Sequence, residues 1–288
     1  MNDLLGALAE YWTVTPAPVK GFVAGASGIV SVAWINSRSQ TKRRIIDELT
    51  ALRVAQTLCF TTVNAALLIK AQQIVDIKQR YDAALDIFTK YQSNPVGPLN
   101  LRFDFRTLQK LNFETDALAK LVTEKATMMG ARGIALCITL AGTAKDFNLS
   151  IEYRNSLCAE YRRDIASKTM AERIAFYLGA NSGWGIDERF RNNVDSLALQ
   201  VDHILYFGIE LEKELIAYAL RRRRAFAWRY RIPVPKMEPS DWTKAQKQNL
   251  FPDPTEYDGW VTGFKKPATW QGKVLNFIRT KWRAVTGR

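Results

Sequence analysis

The densest concentration of chemically capable side chains is Arg221-Arg222-Arg223-Arg224, followed closely by Phe226, Trp228, Arg229, Tyr230 and Arg231. Successive helical residues point around the whole axis, so one seam of carboxylates cannot serve all of these arginines. Phosphate is the natural counter-charge, carried on lipid headgroups or on nucleic acid, and the interleaved aromatics suit interfacial anchoring as well as base stacking. A solvated helix end, whose cations complement the dipole, is the plainer alternative. A second basic set, Lys273, Arg279, Lys281 and Arg283, alternates at helical spacing with Trp270, Val274, Phe277, Ile278, Trp282 and Val285. That pattern predicts an amphipathic helix lying on an anionic surface. The charge is local, because 16 basic and 5 acidic residues in 221–288 give that quarter +11 of the total +13. A local anionic partner follows, rather than a generally basic protein.

Other chemistry is sparse. The chain has no GxxxxGK[ST], GxSxG or HExxH, and Gly183-Trp184-Gly185 belongs to a turn rather than a nucleotide fingerprint. His203, the single histidine, lies within two helical turns of Asp202 and Asp195, which is an acid/base possibility. The same three residues also fit polar positions beside a helix seam. Asp187-Glu188 and the set Glu210, Glu212 and Glu214 read as a solvated face or as salt-bridge partners. Cys59, Cys137 and Cys158 are odd in number, lack a CxxC pair and sit in apolar patterns, so structural thiols in a reducing compartment are expected. No convergent constellation argues for an enzyme, and no cofactor, metal or small-molecule substrate is indicated.

These basic segments must be positioned by something, and the first element is Val19 to Ile35, whose one charge is Lys20. As a helix it covers roughly 25 Å, the lower limit of a hydrocarbon core. Val19, Phe22, Val23, Ile29, Val30, Trp34 and Ile35 would face lipid; a buried glycine-rich helix of a soluble protein is the alternative. Gly21 and Gly25, like Ala24 and Gly28, are four apart, a small-residue spacing that lets two helices approach closely in a membrane. Arg38, Lys42, Arg43 and Arg44 follow the span directly, so the positive-inside rule puts the C-terminal body in the cytoplasm, against the cytoplasmic membrane if the source is bacterial. No cleavable signal is evident in residues 1–12.

From Thr41 to Tyr91 no proline or glycine occurs, and apolar residues recur at helical spacing, which predicts one long helix or two joined end to end. Its middle, Val54 to Ile69, is nearly apolar enough for a second span, but Gln56, Asn64 and several threonines favour packing. Asn94 to Pro98 ends it with turn residues. Leu99, Leu101, Phe103 and Phe105 then alternate with polar residues, the mark of an extended connector leading into a helix near Asp104. Gly133 to Thr143 is too short to span and should be a core centre, and Asn181 to Ile186 breaks the second half. Phe190, Val194, Leu197, Val201, Ile204, Gly208, Leu211, Leu215 and Tyr218 step by four and three, a knobs-into-holes seam. A second apolar face through Leu199, Tyr206, Phe207, Ile209 and Ile216 predicts a helix sandwiched inside a bundle.

The expected fold is therefore mainly α: a membrane anchor in 1–37, a cytoplasmic long-helix bundle in 38–231, and a basic Trp/Pro-rich arm in 232–288. The expected function is that of a non-enzymatic scaffold or effector at the membrane, acting through helix association as a homo-oligomer or with a protein partner. A nucleic-acid-binding protein using Arg221 to Arg231 and the C-terminal basic region is the alternative, and an enzyme of unfamiliar type the next. One anchor with a cytoplasmic helical body resembles, in layout alone and with no shared motif, the small membrane-associated effectors of bacterial phage-defence systems.

Overall fold

The computed structural model describes the backbone of residues 17–125, 129–180, 186–230 and 237–262, and the side chains of 34–124, 129–180, 186–227 and 237–260. The chain is mainly helical, and the described residues contain no strand.

Helix α1 (Ala17–Ile69) runs through a single π turn (Lys70–Ile74) into α2 (Val75–Ser93), so one continuous rod begins with Pro18 in its first turn, where proline is tolerated. The sequence explains the π turn. The buried stripe Leu49, Leu52, Ala55, Cys59, Val63, Ala66, Ile69 advances by three and four, with Leu67 buried beside it; its leading edge then jumps five residues from Ile69 to Ile74 before resuming at Ile77, Tyr81, Ala84 and Phe88. A regular α turn would swing that stripe about 100° off the core; the wider turn absorbs the extra residue, with Val75 N–H reaching Lys70 O.

The rod ends at Ser93, and the chain must come back before α4 (Ala131–Glu160) can start. Half the return is extended and half is α3 (Thr115–Lys125), which packs on α1 and α4. The extended half is held by α4 side chains where a sheet would use a neighbouring strand. Leu108 N–H donates to Asn155 Oδ1 at 2.9 Å and Asn155 Nδ2 returns a bond to Leu108 O at 2.8 Å. Leu111 and Asn148 repeat the exchange at 3.0 and 2.8 Å. Three extended residues and seven helical ones each cover roughly 10 Å, so the two asparagines fall in register with the connector. Arg154 donates to Arg106 O at 3.1 Å and to Asp104 O at 3.2 Å, and Arg162 donates to Phe105 O at 3.2 Å. The helix expected near Asp104 therefore begins at Thr115. Backbone groups at 104–111 find partners on α4 and gain little from coiling.

A second π turn (Tyr161–Ile165) ends α4. Helix α5 (Met170–Leu178) is a separate element that the sequence pattern did not separate: Thr169 and Glu172 form a capping box, and Gly179 closes the helix at φ 62°. Its ring-bearing face packs Tyr177 on Tyr81 and Phe190, at 5.6 and 4.8 Å between centroids. Arg154 is wholly buried beneath this cluster with its guanidinium 5.0 Å from the Phe190 ring.

Helix α6 (Arg189–Tyr230) packs between α1 and α4. Every member of the stepped seam that is not glycine is at most 4% exposed, from Phe190 to Tyr218. Contacts fix the direction. Glu48 meets Arg222, Gln56 meets Glu212, Cys59 Sγ donates to Gly208 O at 3.1 Å, Lys70 meets Asp202, and Lys78 meets Asp195. One number rises as the other falls, so α6 runs antiparallel to the rod. Arg132 with Glu210, and Asn193 with Ser150 O, make it antiparallel to α4 as well. At the crossing a Cβ on Gly208 would overlap the Val63 methyl, so glycine sets how closely α1 and α6 approach.

Residues 237–262 lie back across α1 and α6 with two short helices, α7 (Thr243–Lys247) and α8 (Asp258–Thr262). Aromatic side chains attach them: Trp242 on Phe60 at 5.0 Å, Tyr257 stacked on Tyr206 at 3.9 Å, and Trp260 on Phe207 at 4.6 Å.

Candidate functional site

Because α6 returns antiparallel, its arginine run arrives beside the start of the packed part of α1. Glu48 accepts two bonds from Arg222 Nε, at 3.1 and 3.0 Å, and one from Arg222 Nη2 at 2.5 Å, and Tyr218 Oη also donates to it. This cluster turns one arginine of the four inward and holds the Arg222 guanidinium in its charged form. Arg221 and Arg224 are exposed. Arg38, Lys42, Arg43 and Arg44 precede Glu48 by ten residues or fewer, within roughly 15 Å along the axis. Both basic sets thus form a collar at one end of the bundle, with Asp47 and Glu48 as the nearby acids.

The rod continues beyond that collar. Among the described side chains of α1 none before Leu49 is buried, residues 34–41 are all exposed, and Trp34 and Ile35 each keep 61% of their surface. The Arg38 guanidinium lies 5.2 Å from the Trp34 ring. Val19, Gly21, Phe22, Val23, Gly25, Gly28, Ile29 and Val30 belong to the helical backbone of α1, with side chains outside the described set. The Arg229 side chain is also outside it, as are Arg231, Lys273, Arg279, Lys281 and Arg283. Two helical stretches, within Trp34–Ser93 and Ala131–Ile165, are long and apolar enough to cross a membrane, and both contribute buried residues to the bundle.

Leu197, Val201, Ile204, Gly208, Leu211 and Leu215 face α1 and α4 of the same chain. The three thiols are buried, and burial raises Cys59 well above its ordinary value and pushes Cys137 up to about 11. The acid/base possibility separates: Asp202 pairs with Lys70, Asp195 with Lys78, and His203 packs edge-on to Tyr257 at 5.6 Å. Asp187 pairs with Arg189, while Glu210 and Glu214 share Arg132.

Glu212 is the functional group that sequence reasoning undervalued. It is 4% exposed and accepts from Gln56 Nε2 at 3.2 Å, Ser240 N at 3.0 Å, Ser240 Oγ at 2.5 Å and Trp242 Nε1 at 3.0 Å. It therefore fastens residues 240–242 to the bundle. Its place directly after the seam residue Leu211 was the available signal, since such a position borders the core. Lys70, at the first π turn, adds a bond to Leu250 O at 2.7 Å.

This attachment should respond to acid. Burial against the C-terminal segment lowers the His203 pKa from 6.5, with the Asp202 charge opposing; Lys70 and Glu256 are the other charges nearby. A histidine released from Tyr257 binds a proton more readily, so docking is complete above about pH 6.5 and weakens as pH falls below it. Hydrogen exchange in 240–260 should quicken between pH 7.5 and 5.5, after correction for intrinsic rates, and His203→Phe should remove the increase. Equal pH dependence in both proteins would refute the linkage.

No family model matches the chain, and no curated protein or solved structure resembles it significantly.

Proposed function

We propose that this chain is a membrane-anchored helical protein whose bundle stands on the cytoplasmic face of the bilayer. The anchor is the first part of α1, residues 19–35, and the collar of Arg38 to Arg44 with Arg221 and Arg224 meets anionic headgroups. The carrying observation is the antiparallel register of α1 and α6, because it gathers two basic sets, distant in sequence, at the end from which the rod projects. The protein works as a scaffold or effector, and its helices associate in the membrane through Gly21, Gly25 and Gly28. The core seam of α6 is occupied within the chain, which leaves the projecting segment as the surface for a second copy.

The full chain should sediment with membranes and resist carbonate extraction, whereas a chain starting at Trp34 should be released. Reporters fused at residues 60 and 288 should both read cytoplasm. Cross-linked dimers in the membrane fraction should be lost on replacing Gly21 and Gly25 with leucine. A full chain that stays in the supernatant would end the anchor reading. The collar would then be assigned to nucleic acid if the same chain retains RNA or DNA at physiological salt.

A further inference from the structure

The opposite end of the bundle holds a groove of 860 Å³, within the size range of small-molecule sites. It lies where α2, the extended connector and the second π turn converge. Ala83, Ala84 and Ile87 of α2 make one smooth wall, and Phe103, Phe105 and Tyr161 contribute rings opposite. Phe105 and Tyr161 stack with centroids 3.5 Å apart, which fixes both planes.

The lining is cationic: Arg80, Arg102, Arg106 and Arg162, with Asp104 as the one acid. Two of the arginines are already neutralised. Arg106 bonds both Asp104 and Asp76, and Arg80 bonds Asp76 at 2.8 Å. These hydrogen bonds hold the Asp76 carboxyl below its ordinary value, and at Asp104 they outweigh a burial that opposes ionisation. Arg102 and Arg162 are different. Neither makes an ion pair among the described residues, and Arg162 donates to a single neutral partner, Phe105 O. The backbone between them is rigid because Arg154, wholly buried, takes the carbonyls of Asp104 and Arg106. Two guanidinium groups without a carboxylate partner, on a braced frame beside flat rings, suit a phosphate joined to a planar ring system.

We propose that this groove binds a nucleotide, its phosphate held by Arg102 and Arg162 and its base between the rings of Phe103 and Tyr161 and the facing α2 wall at Ala83. A phospholipid headgroup shares the phosphate chemistry. Thirty-six residues of helix separate Arg44 from Arg80, roughly 54 Å, so a bilayer at the collar would not reach the groove. That exclusion rests on the membrane reading of the collar; binding to the groove does not.

The test is calorimetric titration of the full chain in detergent with AMP, ATP, inorganic phosphate and glycerol 3-phosphate, the last standing for a lipid headgroup. AMP or ATP should bind saturably and at least tenfold more tightly than inorganic phosphate or glycerol 3-phosphate. Arg102→Gln and Arg162→Gln should each weaken it by roughly ten- to hundredfold, the worth of a hydrogen bond to a charged group. Both side chains lie outside the core, so circular dichroism should be unchanged in the variants. Absence of saturable nucleotide binding, equal binding of glycerol 3-phosphate, or indifference to both substitutions would overturn the proposal. Membrane sedimentation of the same protein, measured in parallel, tells failure of the groove from failure of the anchor.

Discussion

Replacing Gly208 with leucine is expected to leave no cooperatively folded bundle. An added Cβ at this position already overlaps Val63, whose branched side chain has little rotamer freedom, and Leu140 lies 3.9 Å away on the other side. Gly208→Ala is the graded version. Helix propensity alone favours alanine by about 1 kcal/mol, and overpacking costs about 1–3 kcal/mol, so a net loss of stability shows that the contact wins. Separation of α1 from α6 would also break the Cys59 Sγ bond to Gly208 O and shift Glu212 away from Gln56. Val63→Ala in the Gly208→Ala background should restore much of the loss, although Val63→Ala alone is destabilising. Additive effects in that double-mutant cycle, or a folded Gly208→Leu protein with unchanged melting, would mean that the helices do not meet at this point.

The collar should dominate binding to anionic vesicles once the anchor is removed. Residues 34–41 are exposed, so a chain beginning at Trp34 starts on a part of α1 that buries none of its described side chains. Exchange of Arg38, Lys42, Arg43, Arg44, Arg221 and Arg224 for glutamine removes six charges, each contributing about 1 kcal/mol near an anionic surface. Vesicle affinity at low salt should fall by about four orders of magnitude, and the difference should nearly vanish in 1 M salt, where the screening length is about 3 Å. Arg222 is left in place because its ion pair with Glu48 joins α6 to α1. Unchanged vesicle binding combined with lost RNA or DNA binding would transfer the collar to nucleic acid.

Periodicity was legible wherever one helix buried one stripe. The stepped seam from Phe190 to Tyr218 lies in the core along its whole length, and the long apolar rod is one helix. The alternation at 99–105 correctly marked an extended connector, but not its length. Nothing local to Arg106, Leu108 or Leu111 announces that Arg154, Asn155 and Asn148, 37 to 48 positions later, satisfy their backbone. The collar was half legible: the charge runs are plain in the sequence, while the inward turn of Arg222 depends on Glu48 on another helix. The groove was not legible at all, since its arginines come from three elements and are unremarkable singly. Glu212 looked like its neighbours Glu210 and Glu214 until the C-terminal segment folded over it.

Part of the rod is covered late. Although α3 packs on α1 early, Cys59 and Val63 meet Gly208 of α6 and Phe60 meets Trp242, partners supplied about 145 to 180 positions further on. At a synthesis rate of about 5–20 residues per second, these positions wait roughly 7 to 36 s for their partners on the nascent chain. On the proposed anchoring of residues 19–35, this stretch of α1 would spend the interval beside the bilayer. Thr57, Thr61 and Asn64, exposed in the folded bundle, make the stretch a poor passenger for the insertion machinery. On the same proposal, the polar residues on the outside of this helix would keep it out of the bilayer during translation, before the bundle exists to cover it.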